Sequence, residues 1–78
     1  MGINETQKED LKRLGDRLKR FRTDKGLTLK QLGYLIDKDP QSISRVEMGD
    51  INPTYLYLLE VCKGLEIDMF DLLKDLKE

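Results

Sequence analysis

Three neighbouring polar side chains, Gln41, Ser42 and Arg45, have the chemistry to read the edges of nucleic-acid bases. The planar fork of an arginine matches the O6 and N7 acceptors of guanine, and a glutamine amide matches N6 and N7 of adenine. On one helix the three side chains would lie about one turn apart and face the same side. We therefore predict Gln41 and Arg45 as base-contacting residues, with Ser42 as the weaker third. An arginine on an exposed helix ordinarily contributes only solubility, so this prediction depends on the elements around it.

The residue types that are scarce in the chain exclude several kinds of site. The sequence has no histidine and a single cysteine, so the usual ligands of a zinc cluster are missing and a histidine-based catalytic site is excluded. Cys62 has no partner within the chain for a disulfide bond, which fits a reducing cytoplasm. We expect a cytoplasmic protein that is not an enzyme and that holds no metal and no cofactor.

The charge of the chain is unevenly distributed. The net charge is −1, but residues 8–25 carry eight basic and four acidic side chains, whereas residues 53–78 carry three basic and six acidic ones. This polarity suits a domain that presents one side to phosphates and turns the other away. The alternative interpretation is that the basic residues of this half form only the solvent-exposed side of an amphipathic helix and contact no DNA. The longest apolar stretch, residues 55–59, is too short to span a bilayer, and no signal peptide is evident.

The elements that must position these side chains have the patterns of helices. Thr6 and Glu9 have the spacing of a capping box, in which each side chain satisfies a free backbone amide near the other. Behind them, apolar residues recur at helical spacing as far as Phe21, and Gly26 supplies a stop. A first helix is therefore predicted over residues 7–24. The sequence leaves open whether residues 1–6 form a disordered arm.

Two short helices follow, joined by about three residues. The segment 28–31 repeats the capping-box pattern and opens the second helix. The apolar residues of that helix are Leu32, Leu35 and Ile36. Asp39 is a good N-cap for the third helix, with Pro40 at the first helical position, where a missing N–H costs nothing. Ile43 and Val46 are expected to anchor the third helix to the core, and a glycine ends it.

Two further helices are predicted in the acidic half of the chain. Asn52 and Pro53 repeat the cap-plus-proline signal and open a fourth helix over residues 54–63, which Gly64 stops. Asp68 caps a fifth helix. The apolar residues of this last helix are Phe70, Leu72, Leu73 and Leu76. Because no segment alternates with the period of a strand, the sequence predicts an all-α fold of five helices.

The second and third helices have the geometry of a helix-turn-helix motif. The residues that carry the motif, all in register, are Leu32–Gly33, Ile43–Gly49 and Asn52–Pro53. In these residues the chain resembles the phage repressor and Cro-type (XRE) DNA-binding domains, from about Leu14 to Leu73. The resemblance implies a five-helix repressor-type bundle with a central helix-turn-helix at about residues 28–48. It also implies that residues 1–78 form a single DNA-binding domain.

The resemblance further implies which residues contact the DNA backbone and which hold the motif together. Amides at helix N-termini and short polar side chains contact phosphates in such domains. The candidate phosphate-contacting residues are Thr28, Lys30, Lys38, Ser44, Asn52 and Thr54. Asn52 is first of all a helix cap in this interpretation. Arg22 and Glu47 occupy the positions of a semi-buried salt bridge that ties the first helix to the third.

Three departures from the family pattern affect the expected contact with DNA. Leu29 stands where the family often has a glutamine that contacts the backbone, and Pro40 replaces a residue that reads a base in several relatives. Asp37, Asp39 and Asp50 lie near the expected DNA side, where their charges repel phosphates. DNA binding is therefore expected to be weaker or more selective than in basic relatives.

An apolar surface is predicted on the last two helices. If Tyr55, Leu59 and Cys62 face the core, Leu56 and Tyr57 are apolar where the family is usually polar. The candidate dimer or partner surface comprises Leu56, Tyr57, Met69, Phe70 and Leu76. A patch of this kind on a small domain indicates a partner, and we favour a homodimer that matches a two-fold operator. Local packing between the fourth and fifth helices is the other interpretation.

These observations lead to two hypotheses of different classes. The first is a transcriptional regulator, a repressor, that binds a palindromic operator in double-stranded DNA as a homodimer with its third helix in the major groove. Because the DNA-binding domain fills the chain, no small-molecule ligand is expected, and regulation would follow the concentration of the protein itself. The second is a protein-interaction module, such as an antitoxin or an adaptor, that binds a protein partner and uses the helix-turn-helix mainly as a scaffold.

Overall fold

The computed structural model describes residues 3–76, and within that range the regular structure is entirely helical. The five helices, in chain order, are α1 Glu5–Asp24, α2 Leu29–Ile36, α3 Pro40–Glu47, α4 Tyr55–Leu65 and α5 Met69–Leu73. The prediction of an all-α, five-helix fold is therefore confirmed. Within the described residues no helix is both long and apolar enough to cross a membrane.

The start of α1 differs from the sequence prediction. Asn4, not Thr6, is the N-cap: its side chain accepts a hydrogen bond from the Gln7 amide at 2.8 Å, and the Gln7 side chain accepts one from the Asn4 amide at 3.1 Å. Two capping boxes overlap in this segment, and the earlier one adds helical hydrogen bonds that the later one would forgo. Glu5 and Thr6 are helical as a result.

The predicted helix-turn-helix is present as α2, a short turn and α3. Thr28 and Gln31 form the expected capping box of α2, with distances of 3.0 and 2.9 Å. Pro40 is the first residue of α3, as predicted, but the side chain of Asp39 makes no capping hydrogen bond. The turn begins at Asp37, which adopts a left-handed conformation with φ 56°.

The boundaries of α4 correct two predictions. Thr54, not Asn52, caps the helix, because its hydroxyl accepts a hydrogen bond from the Tyr57 amide at 3.0 Å. Gly64 does not stop α4, which continues to Leu65. A side chain at Gly64 would collide with the methyl group of Ile36, so this glycine serves the close packing of α4 on α2.

A single cluster of buried side chains lies between the helices. Its fully buried members include Leu18, Leu32, Ile43, Val46, Val61, Leu65 and Leu72. Leu58 and Cys62 are also buried, whereas Tyr55, which the sequence placed toward the core, is 65% exposed. Leu35 is 56% exposed and likewise does not join the core. The face of α4 that is buried is therefore rotated from the predicted one.

Close backbone contact holds α1 against α3. A Cβ atom at Gly15 would lie 2.5 Å from the carbonyl oxygen of Val46 and would also collide with that of Glu47. Only a glycine allows the two helices to approach this closely. Because α1 meets α3 at the end of α3, the long first helix fixes the orientation of the short third one.

Candidate nucleic-acid interface

The predicted base-contacting residues lie on the outward side of α3. Ile43 and Val46 are 0% and 1% exposed and pack into the core. Gln41 and Arg45 are exposed four residues apart, one helical turn, and Ser42 is half-buried beside them. The structure therefore brings the two long polar side chains together on a convex helix surface and sets the short one at its edge.

A buried ion pair anchors α3 to α1. Arg22 donates from Nε to Oε2 of Glu47 at 2.7 Å and from Nη2 to Oε1 at 2.9 Å, a bidentate arrangement. Its third donor, Nη1, reaches the carbonyl oxygen of Leu27 at 2.8 Å, so the pair also holds the α1–α2 loop. The hydrogen bond to Glu47 raises the pKa of Arg22, which keeps its charge at any physiological pH. Both side chains are buried and bonded to each other, so the role of the pair is to fix the orientation of α3.

Tyr57 of α4 contacts two of the predicted DNA-contacting residues. Its hydroxyl lies 3.2 Å from Oγ of Ser42, and Nζ of Lys38 lies 5.4 Å from the centre of its ring. The ring is half-buried and packs against the core. Tyr57 therefore does not lie in an open surface, although the sequence analysis placed it in the candidate partner surface. Its contacts place it behind the turn and the start of α3 instead.

Some of the predicted phosphate-contacting residues lie at two helix N-termini. The others lie on α3 or in the segments next to it. Thr28 caps α2 with Lys30 exposed beside it, and Thr54 caps α4. The remaining three are Lys38 in the turn, Ser44 on α3 and Asn52 after α3. The amides of the first helical turn and the helix dipole make each N-terminus favourable for an anion.

Two further lysine side chains lie near α3 that the sequence analysis did not predict as DNA-contacting residues. Lys12 and Lys19 of α1 line a depression together with Ser44 of α3 and Met48, the residue that follows α3. Lys12 is also paired with Asp16 at 2.6 Å. Their spacing of seven residues, two helical turns, was the available signal, because it puts both on one side of α1. The cationic half of the chain thus places positive charge next to the exposed side of α3.

The exposed apolar side chains differ in part from the predicted partner surface. Leu56 and Phe70 are 70% and 69% exposed, as an open surface requires, and Tyr55 adds to them. Met69 and Leu76 are half-buried. A second exposed apolar pair, Tyr34 and Leu35 on α2, had no place in the sequence prediction.

Comparison with known proteins gives consistent relatives. The family model described as "Helix-turn-helix domain" matches residues 13–74. The restriction-modification controller protein C.AhdI from Aeromonas hydrophila is 33% identical with a TM-score of 0.79, covering 81% of this chain and 96% of its own. The clp gene regulator ClgR from C. glutamicum is 31% identical with a TM-score of 0.82, covering 86% of each chain.

A third relative is a structure described as the controller protein C.Esp1396I tetramer in complex with its natural 35 base-pair operator. It is 30% identical with a TM-score of 0.78, covering 86% of this chain and 88% of its own. The comparison with curated proteins gives no match. With a family model that matches most of its length, and with the resemblance to repressor-type regulators confirmed, this chain belongs to the helix-turn-helix domain family.

Proposed function

We propose that the chain is a sequence-specific transcriptional regulator, a repressor, that binds operator DNA with α3 in the major groove. The proposal depends mainly on how α3 is held against the rest of the domain and on which of its side chains are exposed. Its apolar side is buried, a bidentate ion pair ties it to α1, and Gln41 and Arg45 extend from the opposite side. A rigid helix with long hydrogen-bonding side chains on one exposed side is what base readout requires.

The dimensions and chemistry of the groove fit this arrangement. An α-helix with its side chains is about 10–12 Å wide, and the major groove of B-DNA is about 12 Å wide. Arg45 offers two parallel donors to guanine, and Gln41 offers a donor and an acceptor to adenine. Contacts from the N-termini of α2 and α4 to phosphates on either side would fix the depth and register of α3.

The relatives support the same function. One of them is described in complex with its operator, and others are described as controller proteins or as a gene regulator. This chain covers 96% of the length of C.AhdI and 86% of that of ClgR. We expect it to act in the cytoplasm, in contact with the genome.

A homodimer on a palindromic operator is the assembly that we favour. The exposed side chains of Leu56 and Phe70 suit burial against a second copy, because large apolar residues on small domains commonly mark interfaces. A two-fold dimer would present its two α3 helices to half-sites about 34–36 Å apart, one turn of DNA.

The test begins with selection of the purified protein on a random DNA pool at two salt concentrations. We expect an enriched palindrome and an affinity that falls steeply with salt, since phosphate contacts release counterions. On the selected operator, Arg45→Ala should cost about 1–3 kcal/mol and relax preference at one base position. Arg13→Ala, in which an exposed arginine of α1 is removed, is the matched control and should leave the preference unchanged. An Arg45→Ala protein with the wild-type motif and affinity would contradict the proposal.

A protein-interaction module remains the second candidate, and the exposure of Tyr34 and Leu35 on α2 favours it. The same selection separates the two functions. Binding that is weak and enriches no sequence would support the interaction module, with the helix-turn-helix as its scaffold.

A further inference from the structure

We propose that Tyr57 is a positioning residue for base readout: its phenol donates to the Ser42 hydroxyl, whose own proton is held by the Asp39 carbonyl oxygen, and so fixes the direction of the one lone pair that Ser42 can present to a base. The inference rests on the proposed DNA-binding function and deepens it. It assigns Tyr57, a residue of α4 outside the helix-turn-helix, to the specificity of α3.

The direction of the hydrogen bonds around Ser42 follows from counting protons. The Ser42 hydroxyl donates to the carbonyl oxygen of Asp39 at 2.8 Å. A serine hydroxyl has one proton and two lone pairs, so this bond uses its only donor. Either oxygen could donate in the contact of 3.2 Å between Ser42 and the Tyr57 hydroxyl, and with the Ser42 proton on Asp39 the donor is the phenol. One lone pair of Oγ remains for a further partner.

Tyr57 is built to remain a donor in this place. Burial, the largest effect on this group, raises its pKa, and the hydrogen bond with Ser42 lowers it by less, so the phenol keeps its proton at neutral pH. The backbone is fixed by the Thr54 cap, and the half-buried ring packs on the core. Nζ of Lys38 lies 5.4 Å from the centre of the ring, a cation–π contact that also links Tyr57 to the α2–α3 turn.

A pure acceptor discriminates among the four bases. In the major groove the hydrogen-bond donors are the amino groups N6 of adenine and N4 of cytosine, whereas guanine and thymine offer acceptors there. The free lone pair of Ser42 can meet an amino group but not O6 or N7 of guanine or O4 of thymine. The base read by Ser42 is therefore adenine or cytosine, and a phosphate oxygen is excluded as its partner.

Three variants test the inference on the operator selected by the wild-type protein. Ser42→Ala identifies the base pair that depends on Ser42, and the wild type should contact the amino group of the adenine or the cytosine in that pair. Tyr57→Phe keeps the ring but removes the phenol proton, so the serine hydroxyl is less firmly held and the preference should fall about 3- to 10-fold, the range of one neutral hydrogen bond. In the double variant the preference should equal that of Ser42→Ala, because Tyr57 acts through Ser42.

The controls separate this inference from stability and from the proposed function. Tyr34→Phe removes a hydroxyl from a ring that is 88% exposed and should leave base preference unchanged. Melting curves of each variant report folding, and a wild-type operator in which the amino group at that base pair is replaced by hydrogen tests the inference even if Tyr57→Phe unfolds. Wild-type affinity that is unchanged by this replacement, an unchanged preference in Tyr57→Phe, or additive effects in the double variant would overturn the inference alone. A wild type that selects no motif would overturn the proposed function with it.

Discussion

Among single residues, the two side chains that matter most for the orientation of α3 are buried. The side chains of Arg22 and Glu47 are 9% and 5% exposed, and their charges satisfy each other and the Leu27 carbonyl. A buried pair of this kind need not add net stability, because removing two charges from water is costly. Its effect appears when one partner is lost, since the other then remains buried without compensation.

We therefore predict that Glu47→Leu lowers the free energy of unfolding by about 3–5 kcal/mol, as expected for breaking a buried ion pair. Urea denaturation followed by circular dichroism measures this change. The double variant Arg22→Met/Glu47→Leu removes both charges and should recover most of the stability.

The control for this prediction is Asp16→Ala, which breaks the exposed pair with Lys12. Surface pairs contribute about 0–1 kcal/mol, so this variant should denature almost as the wild type does. Equal effects of Glu47→Leu and Asp16→Ala would show that burial of the Arg22 pair has no special consequence.

At the scale of helices, three of the five N-termini follow one rule, in which a side chain and the residue three positions later satisfy each other's amides. The rule does not decide between two overlapping boxes. Asn4 with Gln7 and Thr6 with Glu9 both satisfy the pattern, and the structure uses the first. Gly33 and Gly64 do not end their helices but allow close packing. A Cβ atom at Gly33 would lie 2.6 Å from the carbonyl oxygen of Lys38, and one at Gly64 would collide with Ile36.

The choice of cap leads to a paired prediction. Asn4→Ala should destabilise the protein by about 1 kcal/mol, the usual contribution of an N-cap, whereas Thr6→Ala should have little effect or a slightly favourable one. Thermal denaturation of the two variants beside the wild type provides the comparison. If Thr6→Ala proved the more harmful of the two, α1 would begin at the later box.

At the scale of the whole molecule, charge and apolar surface lie at different places along the chain. Lys12 and Lys19 of α1 lie beside α3, while Leu56 and Phe70 belong to the acidic last two helices. A dimer formed through the last helices would leave the cationic side free for phosphates. The near-zero net charge of −1 is therefore compatible with an anionic partner.

The proposed dimer predicts that assembly and folding can be separated by mutation. Leu56→Glu/Phe70→Glu should leave the fold intact, because both side chains are about 70% exposed, but should convert the dimer to a monomer and weaken operator binding. Sedimentation velocity over a range of concentrations measures the oligomeric state, and melting curves verify the fold.

The matched control is Tyr34→Glu/Leu35→Glu, which adds the same two charges to the exposed apolar pair on α2. It should remain a dimer and should reveal how much of any lost DNA affinity comes from charge alone. If the dimer persisted in the first variant and dissociated in the control, the interface would lie on α2 instead.

The five helices, the helix-turn-helix and most of the core could be predicted from the amino-acid sequence. These depend on local information: apolar spacing along Leu11–Phe21, caps such as Thr28 and Asp68, and glycines with positive φ after α1 and α3. Each of these signals acts within a few residues of chain, so no knowledge of packing was needed. The pairing of Arg22 with Glu47 was inferred from the family resemblance and is present in the structure.

The face of α4 that is buried could not be predicted from the sequence, because it depends on tertiary packing. Val61 and Leu65 face the core with Leu58, so Tyr55 is exposed and Tyr57 turns toward Ser42. On a strongly apolar helix several faces satisfy the same periodicity, and the choice depends on how the helix packs against its neighbours. A contact that spans 15 residues and joins α4 to α3 arises from that packing, and for this reason no local pattern could indicate it.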